Sequence, residues 1–141
     1  MTYRFQTHTE CIDWTRVAEL LANFGLSDLD AVTQQKVFQN SYAVVFVFDQ
    51  DTLIGFGRAI SDGICQAAIY NIALDEGYHG KGLGKEIINR LIGQVSQCNI
   101  ILYTHPNTVS LYEHLGFRKM KTGMAMYRKN QLKELEEMNF I

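Results

Sequence analysis

Residues 69–85 read IYNIALDEGYHGKGLGK, and this stretch decides the fold. Apart from Asn71, Ile69 to Leu74 is apolar or aromatic, the composition of a largely buried strand. Asp75-Glu76 turns the chain, and Gly80, Gly82 and Gly84 follow. From Leu83 the apolar positions Leu83, Ile87, Ile88, Leu91, Ile92 and Val95 recur on one helical face. Glycines between a strand and a helix let backbone N–H groups converge on one point, and the helix start adds unpaired donors and partial positive charge. That is an anion site suited to a pyrophosphate, with Lys81 and Lys85 adding charge. The plainer alternative is a tight turn. Two common phosphate loops do not fit. A Walker A loop needs glycine where His79 stands and Ser or Thr where Glu86 stands. A GxGxxG loop finds Lys85 or Ile87 at its third glycine.

Upstream of this stretch, Tyr3 to Thr7 alternates aromatic and polar residues and predicts a first strand. From Asp13, the residues Trp14, Val17, Ala18, Leu21 and Ala22 predict a helix that Gly25 stops. Ser27 is placed to cap a second helix through Leu29, Val32, Lys36 and Val37. Tyr42 to Phe48, the turn Asp49-Gln50-Asp51, and Thr52 to Ile60 read as a hairpin. After Ser61-Asp62-Gly63 comes the strand through Ala67 to Leu74. Downstream, Asn99 to Tyr103 predicts a short strand, and Pro106-Asn107 opens a short helix closing at Leu115-Gly116. Phe117 to Met120 and Met124 to Arg128 predict a last pair of strands. Gln131 to Asn139 is a terminal helix or a frayed tail. The expected order is β-α-α-β-β-β-α-β-α-β-β. It describes an α/β domain with a mixed, mostly antiparallel sheet of about seven strands flanked by helices.

A chain of 141 residues, nearly half of them apolar, supports one sizeable core, so residues 1–141 are expected to form a single domain. A net charge of -2 suggests neither a nucleic acid nor an anionic membrane as partner. Cys11, Cys65 and Cys98 are far apart and lack metal-ligand spacing, so no metal is expected and reduced thiols are. The N-terminal residues lack a signal-peptide pattern, and no apolar run nears the roughly 20 residues of a membrane span. A soluble, cytoplasmic protein is the expectation.

The segment His79-Gly80-Lys81-Gly82-Leu83-Gly84 resembles the Q/R-x-x-G-x-G/A signature of the GNAT superfamily of N-acetyltransferases, with His in place of Gln or Arg. Asn107 with Leu111-Tyr112-Glu113-His114-Leu115-Gly116-Phe117 is similar to the family's N-x-x-x-x-Y-E-K-L-G-F segment, and Leu53 to Arg58 to its third strand. The likeness spans Tyr42 to Tyr127, with both motifs at the expected separation.

The resemblance implies transfer of the acetyl group of acetyl-CoA to a primary amine by direct attack in a ternary complex. A small-molecule amine is the first expectation. A protein N-terminus or lysine is the second, and a non-enzymatic acyl-CoA sensor the third. It implies that Ile69 to Leu74 parts from Asn99 to Tyr103 and that the cofactor arm lies in the gap. There the arm would pair with backbone groups of Ile72, Ala73 and Leu74, and a bulge would aim one N–H at the thioester oxygen. His79, Gly80, Lys81, Gly82, Leu83, Gly84 and Lys85 would hold the pyrophosphate. Tyr112 would bind the cofactor and protonate the leaving thiolate; its alternative is packing beside Leu111 and Leu115. Asn107 would contact the cofactor arm, cap its helix, or do both. No acidic base stands in the cofactor strand, which carries Ala67, Ala68, Tyr70 and Asn71. A water relay ordered by Tyr70 or Asn71 is the simplest substitute; His79 and His105 are the titratable alternatives. Arg58, Asp62 and Glu76 read as solvated turn or strand-end charges. Phe24 to Asp28 lies where the family borders the acceptor, and the apolar residues around Met120 to Met126 permit a homodimer.

Overall fold

The protein is seen in a computed structural model that describes residues 2–141. It divides into two compact units, the first ending at Leu102 and the second running Tyr103–Ile141.

The first unit holds a five-stranded sheet ordered β1-β2-β3-β4-β5. Its strands are β1 (Tyr3–Gln6), β2 (Ala43–Asp49), β3 (Thr52–Ser61), β4 (Gln66–Leu74) and β5 (Asn99–Ile101). The β1–β4 neighbours pair antiparallel, and β5 joins β4 in parallel. Two helices precede β2. Helix α1 (Trp14–Asn23) starts at Asp13, whose side chain accepts the Arg16 N–H, and Gly25 ends it at φ +68°. Helix α2 (Ala31–Gln39) is capped by Asp30, which accepts the Thr33 N–H at 2.9 Å, and not by the expected Ser27. Ser27 Oγ is occupied otherwise: it accepts from the side chain of the fully buried Gln34 at 3.0 Å. Burying that amide without a partner would cost about 1–3 kcal/mol, so the serine is drawn inward and the helix starts one turn later.

Period-2 alternation sorts the sheet into two faces. On one, Val17, Leu20 and Leu21 of α1 and Phe38 of α2 pack on Val44, Phe46, Phe56 and Ala73. On the other lies α3 (Leu83–Gln94), which buries Leu83, Ile87, Ile88 and Leu91 as its spacing predicts. It sits close because β3 presents glycine there. A Cβ on Gly57 would stand 2.4 Å from Ile72 Cδ1 and 2.9 Å from Leu91 Cδ1.

The second unit contains α4 (Val109–His114), entered through a 3₁₀ turn at Pro106–Thr108, and α5 (Leu132–Glu137). Gly116 ends α4 at φ +102°, as the sequence predicts. The expected strands at Phe117 to Met120 and Met124 to Arg128 are absent among the described residues, so the sheet has five strands and not about seven. Met120, Met124 and Met126 are exposed and only Phe117 and Tyr127 are half-buried, so the expected strands have no continuous buried face. A hairpin without such a face is marginal in water.

Candidate acyl-CoA site

Three irregularities of β4 and its exit define the site in the first unit. The first is where its pairing ends. Gln66, Ala67 and Ala68 face Asn99, Ile100 and Ile101, and Ile69 to Leu74 has no β5 residue opposite. Expected cofactor-binding Ile72, Ala73 and Leu74 all lie on this unpaired run. The second is a bulge. In the ladder with β3, Phe56 faces Ala73 and Arg58 faces Tyr70, so Asn71 and Ile72 share the single partner Gly57. Asn71 takes φ +58°, a left-handed conformation in the middle of a strand.

The third is the loop into α3. Gly80 and Gly82 have φ of +81° and +78°, and Gly82 is the α3 N-cap without any side-chain capping bond. The first-turn N–H groups of Leu83, Gly84 and Lys85 therefore point out of the helix toward the loop. A Cβ at Gly80, Gly82 or Gly84 would meet nothing within 4 Å, so the concavity is open, and Lys81 and Lys85 are exposed beside it. A polyanion such as the pyrophosphate of acetyl-CoA fits this donor set.

The ends of the loop are fastened. Asp75 accepts the Gly77 N–H at 2.9 Å and binds the Arg16 guanidinium. These two interactions hold its carboxyl below the ordinary carboxylate range. Arg16 Nε also donates to Leu53 O at 3.1 Å. Tyr78 donates its hydroxyl to Asp49 at 2.6 Å. The His79 ring bonds Leu74 O at 2.7 Å, and its face stacks on Phe24 at 6.2 Å. His79 thus closes the loop onto β4 and α1, and the Leu74 carbonyl is already engaged. Arg16 is a site residue that sequence reasoning missed, since no local pattern links it to Asp75.

The charges expected to be solvated divide. Asp62 is a turn residue: one carboxylate oxygen takes the N–H groups of Ile64, Cys65 and Gln66. Glu76 is exposed, and with Arg16, Leu20, Asn23, Phe24 and Asp75 it lines a hollow of about 360 Å³. Arg58 is not a solvated charge. It is half-buried, its Nε donates to Asn71 Oδ1 at 2.6 Å, and its guanidinium lies 5.2 Å from the Tyr70 ring centre. Packing of β3 against α2 draws it inward. Asn71, a candidate for ordering a water, therefore has its acceptor oxygen committed.

In the second unit Tyr112 is half-buried and packs edge-on against Phe117 at 5.7 Å. Burial pushes its hydroxyl pKa up. Asn107 is not the cap expected of it. His105 is the cap, its Nδ1 accepting the Asn107 N–H at 3.2 Å, because proline at 106 takes the first helical position and puts the cap two residues earlier. The His105 ring also packs on Phe140 at 5.9 Å.

Among known proteins, the family described as an acetyltransferase (GNAT) domain matches residues 13–130, across both units. "GCN5-related N-acetyltransferase 1, chloroplastic" of Arabidopsis thaliana is 29% identical over 134 residues, 89% of this chain and 68% of its own. "Histone acetyltransferase TAP1" of Glycine max is 39% identical over 79 residues, 54% of this chain and 34% of its own. "Serotonin N-acetyltransferase 2, chloroplastic" of Oryza sativa subsp. japonica is 33% identical over 84 residues, 55% of this chain and 42% of its own. The chain thus spans less than half the length of the last two. A GNAT family acetyltransferase structure from Streptococcus pneumoniae TIGR4 superposes with a TM-score of 0.77 at 18% identity, covering 91% of this chain and 99% of its own. With the glycine loop, the parted strand and a family match over most of its length, this chain belongs to the GNAT family of acyl-CoA-dependent N-acetyltransferases.

Proposed function

We propose that the chain, one catalytic domain over residues 1–141, transfers the acetyl group of acetyl-CoA directly to a primary amine. The observation that carries this reading is the succession along one strand: unpaired edge from Ile69, bulge at Asn71, and uncapped helix start at Gly82. The loop Gly80 to Lys85 takes the pyrophosphate, and the Ile72 to Leu74 backbone takes the amide-bearing arm as a partial strand would. His79 serves the loop by holding it to Leu74.

The amine attacks the thioester carbonyl, an oxyanion forms, and the thiolate leaves. An N–H at the bulge stabilises the oxyanion. The amine proton leaves through water beside Tyr70 and Asn71; with Oδ1 held by Arg58, Asn71 contributes its Nδ2 donors and orients that water without accepting the proton. Tyr112 protonates the thiolate. Its raised pKa keeps the hydroxyl protonated at neutral pH, and the hydroxyl has no hydrogen-bond partner among the described residues. Asn107 contacts the cofactor arm.

A small-molecule amine is the acceptor we favour. The protein works in the cytoplasm with its three cysteines reduced, and the exposed methionines at 120, 124 and 126 permit a homodimer. Among the described residues no helix is long and apolar enough to cross a membrane.

Tyr112→Phe tests the assignment of the acid. It keeps the ring contact with Phe117 and removes the proton. Turnover should fall about 10²–10⁴-fold while acetyl-CoA affinity, measured by calorimetry, stays within about twofold. Parental turnover in this variant makes Tyr112 a packing residue.

A further inference from the structure

Asn71 is where β4 changes course. Positive φ falls on five glycines, at 25, 63, 80, 82 and 116, and on Cys11, Gln50, Asn71 and Asn139; of these four, Asn71 is the one within a strand. Asparagine tolerates the left-handed region better than most residues, and unlike glycine it carries an acceptor. That acceptor is used: Oδ1 takes the Arg58 Nε–H at 2.6 Å. Arg58 is itself held from the α2 side. Its Nη1 donates to Ser41 Oγ at 3.3 Å, and Ser41 donates to Val37 O of α2 at 2.9 Å. Its guanidinium lies between the Tyr70 ring, at 5.2 Å, and the Phe38 ring, at 5.9 Å. Phe38 is fully buried, so this end of the chain of contacts does not move freely. On the opposite face the bulge fits only because Gly57 lacks a Cβ, which would stand 2.4 Å from Ile72 Cδ1.

We propose that Arg58 is a positioning residue for acyl transfer. Through Asn71 it fixes the bulge, and so the direction of the backbone N–H groups that meet the acyl end of acetyl-CoA. The inference rests on the transfer reading above. Arg58 touches no substrate; it acts through the asparagine. A shift of about 1 Å in a reacting geometry costs on the order of 10²-fold in rate, so a loosened bulge is felt in kcat. Binding relies mainly on the glycine loop, several residues further on, and is spared.

Two variants break the same link from its two ends. Arg58→Met keeps an apolar stem against Tyr70 and removes the donor. Asn71→Gly keeps the left-handed backbone and removes the acceptor. Each should lower kcat about 10–100-fold, with the acetyl-CoA Kd and the amine KM within about threefold of the parent. The double variant should be no slower than Asn71→Gly alone, because without the asparagine Arg58 has nothing to act through. Arg58→Lys, which retains a donor, should recover part of the rate. Amide hydrogen exchange at residues 70–73 should quicken in both single variants while the rest of the sheet stays protected. If the parent turns over and Arg58→Met matches its kcat, the positioning role is overturned and the transfer reading stands. Should Arg58→Met fail to fold, parental kcat in Asn71→Gly overturns the role equally. A parent that acetylates no amine overturns the transfer reading itself, and this role with it.

Discussion

The His79 ring bonds the Leu74 carbonyl at 2.7 Å, tying the start of the glycine loop back to the last residue of the cofactor strand. The family pattern has Gln or Arg at this place. All three side chains can donate a hydrogen bond to a carbonyl, which accounts for the substitution. His79→Gln should then bind acetyl-CoA within about threefold of the parent, and His79→Ala about tenfold more weakly, one to two such bonds' worth. Titration calorimetry decides. Equal affinity of the Ala variant would mean that the fastening is idle.

Gly82 and Gly84 make a contrasting pair. Gly82 stands at φ +78°, where any L side chain costs about 1–2 kcal/mol whatever space it finds. Gly84 lies inside α3, and the family pattern accepts alanine there. Gly84→Ala should therefore raise stability by about 0.5–1 kcal/mol and leave acetyl-CoA binding intact, whereas Gly82→Ala should lower both. Urea unfolding and calorimetry on the two proteins suffice. An unchanged affinity in Gly82→Ala would remove the phosphate-cradle assignment.

The Asp75 carboxyl is held below its ordinary pKa by the Gly77 N–H and by Arg16. A depressed folded pKa stabilises above the unfolded value near 4, and the contribution is lost as pH falls through the folded value. Asp75→Asn keeps an oxygen for Gly77 and gives up the ion pair. Its stability deficit should be about 1 kcal/mol at pH 7 and shrink toward zero as the pH falls through the lowered folded pKa. A deficit independent of pH would show that the charge on Asp75 does not matter.

Cys65 precedes the cofactor strand, and its thiol donates to the Asp62 carboxylate at 3.2 Å. That bond raises the thiol pKa, so the nucleophilic thiolate is scarce at neutral pH. Direct transfer without a cysteine intermediate is consistent with this. Asp62→Asn should speed alkylation of Cys65 by iodoacetamide at pH 8, and Cys65→Ala should turn over like the parent. An acetyl group found on Cys65 by mass spectrometry would contradict the direct route.

Patterns a few residues long carried much of the fold. The helix from Asp13, the apolar face of α3, the hairpin around Asp49 and the Gly116 stop all depend on neighbours within about two helical turns. What escaped the sequence depends on partners that only folding brings together. Arg16 meets Asp75 across 59 residues, and Arg58 meets Asn71 across 13. A bulge in this strand was expected from the family resemblance alone; its position at Asn71 was not read from the sequence. The strands expected after Phe117 show the converse error. Methionine and tyrosine between charged residues imitate alternation, but no face was buried to make it count.

Acetyl transfer frees the CoA thiol, so thiol release on amine addition reads the reaction without an intermediary. Parent protein and acetyl-CoA would be mixed with small primary amines, with peptides bearing a free N-terminus, and with lysine peptides. Thiol would be followed by colour, and the acceptor by mass. Thiol release should depend on amine, be matched by one acetyl group gained per thiol, and be fastest with a small amine. Fastest release with a peptide would keep the chemistry and reassign the acceptor. Thermal stabilisation by acetyl-CoA with no thiol released by any amine would rule out acetyl transfer and leave an acyl-CoA sensor.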